Sequence, residues 1–151
     1  MSTNGRCTRL LTGVVAAFVG SNAAAFDAVT LADYSGAELF ERFCGSCHGV
    51  AARGDGPVAG TLNTTVPDLT TIAGRYGEFP ALLIRDVIDG RGIDMRAHGT
   101  RTMPVWGYEF WVDEGGDVAA QRAVHEAIDK LVEYLRELQR ADDTGRAAQV
   151  R

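Results

Sequence analysis

Apolar side chains recur with helical spacing in the last third of the chain. From about residue 117 to residue 140, one narrow stripe at 100° per residue is apolar and charged side chains fill the opposite arc. This pattern predicts a long helix with one buried face. We expect that face to pack against the protein's own core, and a coiled-coil partner is the alternative. The stripe consists of Val124, Ile128, Leu131, Leu135 and Leu138.

Two shorter helices are predicted earlier in the chain. Ser35 and Glu38 form a capping-box pattern, so a short helix should follow Ser35. Apolar residues share one face of residues 81–89, and this segment has both boundary signals of a helix. Pro80 fits the first turn, where its missing N–H costs nothing, and Gly90 is a natural stop.

The remaining segments show little periodicity. Residues 49–66 are rich in Gly, Ala and Thr and predict a long loop. We expect a turn at residues 74–77 and an irregular stretch over residues 91–116. No segment alternates convincingly as a strand does, so the predicted fold class is all-α.

The chemistry is concentrated in Cys44-Gly45-Ser46-Cys47-His48. Two thiols three residues apart can each bond to one vinyl group of a single haem, and the following His is then held under the iron. We therefore predict one haem c, covalent through Cys44 and Cys47, with its iron bound by His48. Wrapping such a group would also explain the long loop that follows the motif.

Three other interpretations of the motif compete with haem attachment. A thioredoxin-like redox pair requires a βαβ context, which the pattern does not show. A zinc site requires two further ligands, and the chain offers only Cys7, His98 and His125, at no recognised spacing. The motif could also occur by chance on a structural helix.

The N-terminus has the pattern of a secretory signal peptide over residues 1–25. Arg6 and Arg9 precede an apolar run over residues 10–20, and small residues follow up to Ala25, the expected cleavage site. An uncleaved membrane anchor is the alternative, but eleven apolar residues are fewer than the ~20 that a spanning helix needs. We therefore expect export to the periplasm, without stable membrane insertion after cleavage.

Charge and cysteine content restrict the partners. The full chain has a net charge of −5, and removing residues 1–25 takes two arginines and no acidic residue, which brings it to −7. Such a surface argues against nucleic acid and anionic lipid. Cleavage also removes Cys7, so Cys44 and Cys47 are the only cysteines left. Both are consumed by haem, which suits an oxidising compartment.

Residues 35–140 resemble the class I cytochromes c. Gly36 and Phe40 stand eight and four residues before Cys44, where the family has a Gly that lets the terminal helices approach and an aromatic between them. The sequence LVEYL at residues 131–135 resembles the family's terminal-helix signature. The resemblance implies a class I cytochrome c fold, all-α, with N- and C-terminal helices crossing and long haem-wrapping loops.

These patterns together divide the chain into three parts. Residues 1–25 are the expected signal peptide, and residues 26–140 form the cytochrome c domain that the resemblance implies. Residues 141–151 are small and polar and are expected to form a flexible tail.

Further haem contacts are implied by the same resemblance. The Pro67 carbonyl would accept a hydrogen bond from the ring of His48, and Leu69 would make an apolar contact with the haem; alternatively, Pro67 only shapes a turn. Met103, followed by Pro104, would be the sixth iron ligand.

Other residues compete for these roles or extend them. Met95 is the rival methionine, and His98 could ligate instead of Met103. Trp106 and Arg101 could hydrogen-bond the haem propionates, or serve only in packing and surface charge.

The function implied is that of a soluble periplasmic monohaem electron carrier and not of an enzyme. His/Met ligation fills both axial positions, so the protein would pass single electrons between redox partners such as a dehydrogenase, an oxidase or a membrane complex. We expect these partners to dock near the almost neutral segment 85–108. One alternative is a haem enzyme or gas sensor with an open or displaceable sixth site. Another is a fixed haem subunit of a dehydrogenase or oxidase complex.

Overall fold

The computed structural model describes residues 29–92 and 102–140. Within these residues every regular element is helical and no strand occurs, which confirms the all-α prediction. None of the described helices is long and apolar enough to cross a membrane. The α-helices are α1 (Gly36–Phe43), α2 (Gly45–His48), α3 (Ile72–Tyr76), α4 (Ala81–Asp89), α5 (Trp106–Asp113) and α6 (Val118–Glu137). Short 3-10 turns lie at Leu31–Asp33, Ala59–Thr61 and Leu69–Thr71.

Helix α1 begins where the capping box predicts. The Ser35 hydroxyl accepts a hydrogen bond from the Glu38 backbone N–H at 3.3 Å, and the Glu38 carboxylate accepts one from the Ser35 N–H at 2.8 Å. These two bonds satisfy backbone donors that the first turn of a helix leaves free. The helix buries Leu39 and Phe40 and ends at Phe43, so it delivers the next residue, Cys44, to the core.

Helix α6 is the long helix predicted from the apolar stripe, and α1, α4 and α5 all pack against it. Asp117 caps it by accepting a hydrogen bond from the Ala120 N–H at 2.8 Å. Four of the five stripe residues are buried and Leu138 is half-buried. Ala127 and Val132 are also buried, so the apolar face is wider than the stripe alone indicates.

The close approach of α1 to α6 depends on a glycine. A Cβ atom built on Gly36 would lie 2.9 Å from the carbonyl carbon of Lys130, closer than real side chains come. One turn further along α1, the Phe40 ring is buried and its centroid lies 5.5 Å from that of Tyr134. Gly36 therefore allows α1 to approach α6 closely, and Phe40 packs against a ring of α6.

The irregular stretch predicted over residues 91–116 is wrong for residues 106–113, which form α5. Apolar residues occur on several sides of this helix, so its sequence shows no clear helical period. The pair Trp106 and Phe110, one turn apart, packs on Phe43 with ring centroids 5.5 and 4.9 Å away. Tertiary contact with this aromatic group stabilises a helix that the pattern alone does not predict.

The segment before α4 also differs from the prediction. Residues 72–76 form the short helix α3, which ends at Gly77 with φ +82°, in place of a turn alone. Helix α4 has the predicted bounds and ends at Gly90, in the left-handed conformation with φ +71°. Pro80 precedes the helix as its N-cap and does not lie within its first turn.

Candidate haem-binding site

Helix α1 positions the Cys-x-x-Cys-His motif, and α2 is formed by the motif itself. The N–H groups of Cys47 and His48 both donate to the Cys44 carbonyl, at 3.1 and 2.9 Å. Cys44 is buried as part of the hydrophobic core, while Cys47 and His48 are half-buried. Both thiols are free. One helical turn thus presents two thiols and an imidazole that can act on the same group.

The surroundings of the thiols oppose the redox and zinc interpretations. Burial raises the pKa of the Cys44 thiol to about 12, and the neighbouring Cys47 adds to the shift. A dithiol redox pair reacts through a thiolate, and no strand leads into this turn in the described part of the chain. Among the same residues, no group of three His, Cys, Asp or Glu side chains is arranged to hold a metal ion.

His48 is suited to bind iron as a neutral imidazole. Burial lowers its pKa, and the nearby Pro67 backbone opposes this with a smaller raising effect. The neutral ring is the form that ligates a metal.

The predicted hydrogen bond from His48 to Pro67 stays a prediction. The Pro67 backbone acts on the ring as a hydrogen-bond acceptor and opposes the lowering of the His48 pKa. By strict distance and angle, however, the buried Nδ1 atom of His48 has no hydrogen-bond partner among the described residues. The Pro67 carbonyl is therefore near the ring, as the prediction requires, without forming a well-aligned hydrogen bond.

Backbone contacts connect the loop after the motif to the motif itself. A Cβ on Gly56 would lie 2.6 Å from both the carbonyl carbon and the oxygen of Cys47, so only glycine fits here. The loop and motif backbones therefore hold each other in place. Three loop amides donate to three motif carbonyls: Gly54 to His48 at 2.8 Å, Gly56 to Cys47 at 3.1 Å, and Val58 to Ser46 at 3.1 Å.

Leu69 is held by the loop on one side and by Gln139, which follows α6, on the other. Its N–H donates to the Ala52 carbonyl at 2.8 Å, and its carbonyl accepts from the Gln139 amide at 2.8 Å. Gln139 also donates to Leu135 and accepts from Ala73. No sequence signal distinguishes Gln139 from the polar residues around it, and sequence reasoning missed this role.

Met103 lies on the same core as the motif. It is half-buried and packs against the hydrophobic cluster that includes Cys44. Trp106 begins α5, half-buried, with its ring centroid 5.5 Å from that of Phe43 and 5.4 Å from that of Phe110. These are packing contacts, so the propionate role of Trp106 stays a prediction.

Several predicted features lie outside the described residues. These are Met95, His98 and Arg101, the signal peptide at residues 1–25 and the tail at residues 141–151. The middle of the expected docking segment lies outside them as well.

The described residues fit a haem c by their chemistry. Cys44 and Cys47 offer free thiols within one turn, and His48 offers a neutral imidazole. Two open surface cavities of about 580 and 260 Å³ lie elsewhere, and neither is lined by these residues or by Met103. The donor set, and not the shape of a cavity, therefore identifies the site.

Comparison with known proteins gives one family. No curated protein and no solved structure matches the chain. The family model described as cytochrome c matches residues 35–139, from the N-cap of α1 to just beyond α6. Because this match covers more than half of the chain and includes the Cys-x-x-Cys-His motif, the chain belongs to the cytochrome c family of haem-binding electron-transfer proteins, with an iron-containing haem c held covalently through Cys44 and Cys47.

Proposed function

We propose that this protein is a class I, monohaem cytochrome c of bacterial type that carries single electrons in the periplasm, with His48 and Met103 as axial iron ligands. The observation that carries the proposal is that Met103 packs against the same buried cluster that Cys44 joins. Two segments far apart in sequence thus meet on one core, each with a residue suited to one side of a haem. In this proposal the terminal helices cross at Gly36 and the long loops wrap the haem.

The axial pair determines the activity. When bound, the haem iron accepts and releases one electron. His48 supplies a neutral nitrogen from a helix anchored in the core, and Met103 supplies a soft thioether that raises the reduction potential. With both axial positions filled, no position on the iron is left for a substrate, so the protein transfers electrons and does not catalyse a reaction by itself.

Export and partner type complete the proposal. The N-terminal pattern of residues 1–25 supports cleavage and delivery to the periplasm. The partners are redox proteins, such as a dehydrogenase, an oxidase or a membrane complex. Their encounters with a carrier bury little surface and are short-lived. The acidic surface left after cleavage disfavours nucleic acid.

The test uses the haem-loaded protein purified from the periplasmic fraction. We expect one haem per chain, a reversible one-electron potentiometric titration, and poor carbon monoxide binding by the reduced form at neutral pH. Rapid carbon monoxide binding would show an open sixth site and replace the carrier with a catalytic or sensing haem. Recovery of the haem protein from the cytoplasm alone would contradict export.

A further inference from the structure

A side-chain cluster at the end of α4 ties that helix to α6. Arg91 follows α4 by two residues, and its Nε and Nη2 atoms donate to the two carboxylate oxygens of Asp89, each at 2.7 Å. Its Nη1 atom donates to the Gln121 side chain on α6 at 2.8 Å. A guanidinium held on both sides in this way has a fixed plane and position.

Gly107, in the first turn of α5, lies directly against this ion pair. A Cβ atom on Gly107 would lie 2.6 Å from Arg91 Nε and 2.6 Å from the Asp89 carboxyl carbon. Gly107 is buried, and the contact leaves no room for a methyl group. We call Asp89, Arg91, Gln121 and Gly107 the α5 clamp, because together they fix the start of α5 against α4 and α6.

The ion pair of the clamp is partly shielded from solvent. The side chains of Arg91 and Asp89 are 29% and 20% exposed, so solvent screens their attraction only in part. The hydrogen bonds from Arg91 lower the pKa of the Asp89 carboxyl, although partial burial opposes this effect. Removing Arg91 would leave a partly buried carboxylate without its main partner, which destabilises the ionised form.

We propose that the α5 clamp holds Met103 at the haem iron, so that Asp89 and Arg91 are positioning residues for the distal ligand. Only Pro104 and Val105 separate Met103 from the first residue of α5. Pro104 restricts the backbone of Met103. Because this short connection is stiff, a displacement of α5 should also displace the Met103 sulfur. The inference rests on the His48/Met103 ligation of the proposed function.

The test compares Arg91→Ala and Gly107→Ala with Arg85→Ala as the matched control. Arg85 lies on α4 and pairs with Asp129 of α6, so its loss removes an ion pair that joins the same two helices. Alanine is the better helix former, so Gly107→Ala can weaken the protein only through its contact with the ion pair. Asp89→Asn keeps the side-chain shape and tests the same contact if Gly107→Ala does not fold. Arg91→Lys keeps the positive charge but cannot form the bidentate hydrogen bonds to Asp89, so both readouts should lie between those of the wild type and of Arg91→Ala.

The readouts are the weak near-infrared-edge band of Met-bound ferric haem and carbon monoxide binding by the ferrous, haem-loaded protein. In the clamp variants the band should disappear at a lower denaturant concentration than far-UV helicity. Their carbon monoxide association should be about tenfold faster, the factor expected for loss of a charge-assisted hydrogen bond. Arg85→Ala should lose the band and the helicity together and bind carbon monoxide as the wild type does.

Two other outcomes have distinct meanings. If the clamp variants keep the wild-type band and carbon monoxide rate while helicity melts earlier, the clamp is only structural and the inference is overturned. If the wild type itself lacks the band, Met103 ligation has failed, and the inference fails together with that part of the proposed function.

Discussion

The haem motif lies between two regions that are built in different ways. The first region is the helix frame of α1 and α6, which is closed by apolar side chains, with Leu39, Phe40 and Leu131 at most 1% exposed. The second is the motif loop of residues 49–58, which meets the motif through backbone hydrogen bonds and glycines. The frame thus draws its stability from burial within the chain, whereas the loop buries little apolar surface. The comparison indicates that apolar packing holds the frame together. The loop side, which is the motif with residues 49–58, depends on backbone hydrogen bonds and on glycines.

The largest difference between the two regions should appear when the two thiols that attach haem are removed. Cys44→Ser together with Cys47→Ser should abolish covalent haem, because no other cysteine remains after the proposed cleavage. The helix frame should persist, since its core is apolar and only Cys44 of the pair is buried in it. Haem absorbance of the denatured, gel-separated protein measures attachment, and far-UV circular dichroism measures the frame. Ser46→Ala is the control, and haem that stays with the denatured double variant would contradict the assignment.

A methyl group added at Gly56 should damage the loop side selectively. The new Cβ would meet the Cys47 backbone, which cannot move without distorting the motif, so we expect a loss of up to about 3 kcal/mol in unfolding free energy and less attached haem. Gly60→Ala is the matched control, because nothing lies within 4 Å of a Cβ there. Equal haem yield and stability in the two variants would show that the loop does not hold the motif.

The same change at Gly36 should act on the helix frame. Its Cβ would meet the Lys130 backbone, and α1 could relieve the contact only by moving away from α6. We expect a loss of about 1–2 kcal/mol in unfolding free energy by denaturant titration, since overpacked contacts typically cost this much. The haem attached per folded chain should stay at the wild-type value. A selective loss of haem with unchanged stability would reverse the assignment of the two regions.

The smallest effect is expected at Asp68, which lies between the motif loop and α3 and pairs with Arg140 just beyond α6. The Thr70 hydroxyl and then the Thr70 N–H, with a weaker contribution from Arg140, lower the pKa of this carboxyl below its ordinary 3.8. Its ionised form therefore stabilises the fold above the ordinary value, and this is lost as pH falls through the lower folded value. Because the Asp68 side chain is 31% exposed and solvent screens its interactions in part, Asp68→Asn should cost less than about 1 kcal/mol at neutral pH. Between about pH 5 and pH 3, the thermal unfolding temperature should fall less steeply in the variant than in the wild type. Equal slopes would show that Asp68 does not contribute to the pH dependence of stability.

The sequence predicts the frame better than the loop side for a physical reason. Capping residues and an apolar stripe are local signals, and they place α1, α4 and α6 close to their observed bounds. The Cys-x-x-Cys-His motif is equally local, so the haem attachment residues are readable without a structure. Helix α5 depends on tertiary contact between Phe110 and Phe43, which no local pattern records.

The residues that hold the candidate site in place are harder to predict from the sequence than the haem-binding residues themselves. Gln139 and the α5 clamp act through side chains that come together only in the folded chain. Residues of the same types occur elsewhere on the surface without this role. The predicted hydrogen bond between His48 and Pro67 stays a prediction, because a Pro at the right offset does not by itself fix the direction of its carbonyl.

The central claim, a carrier whose iron is bound by His48 and Met103, is tested most directly at the methionine. Oxidised wild type should show the near-infrared-edge band, and its reduced form should bind carbon monoxide poorly at neutral pH. Met103→Ala should lose the band, fall in reduction potential and bind carbon monoxide readily, whereas Met95→Ala should behave as the wild type. If the wild type binds carbon monoxide as readily as Met103→Ala does, the sixth position is open and the carrier account is contradicted.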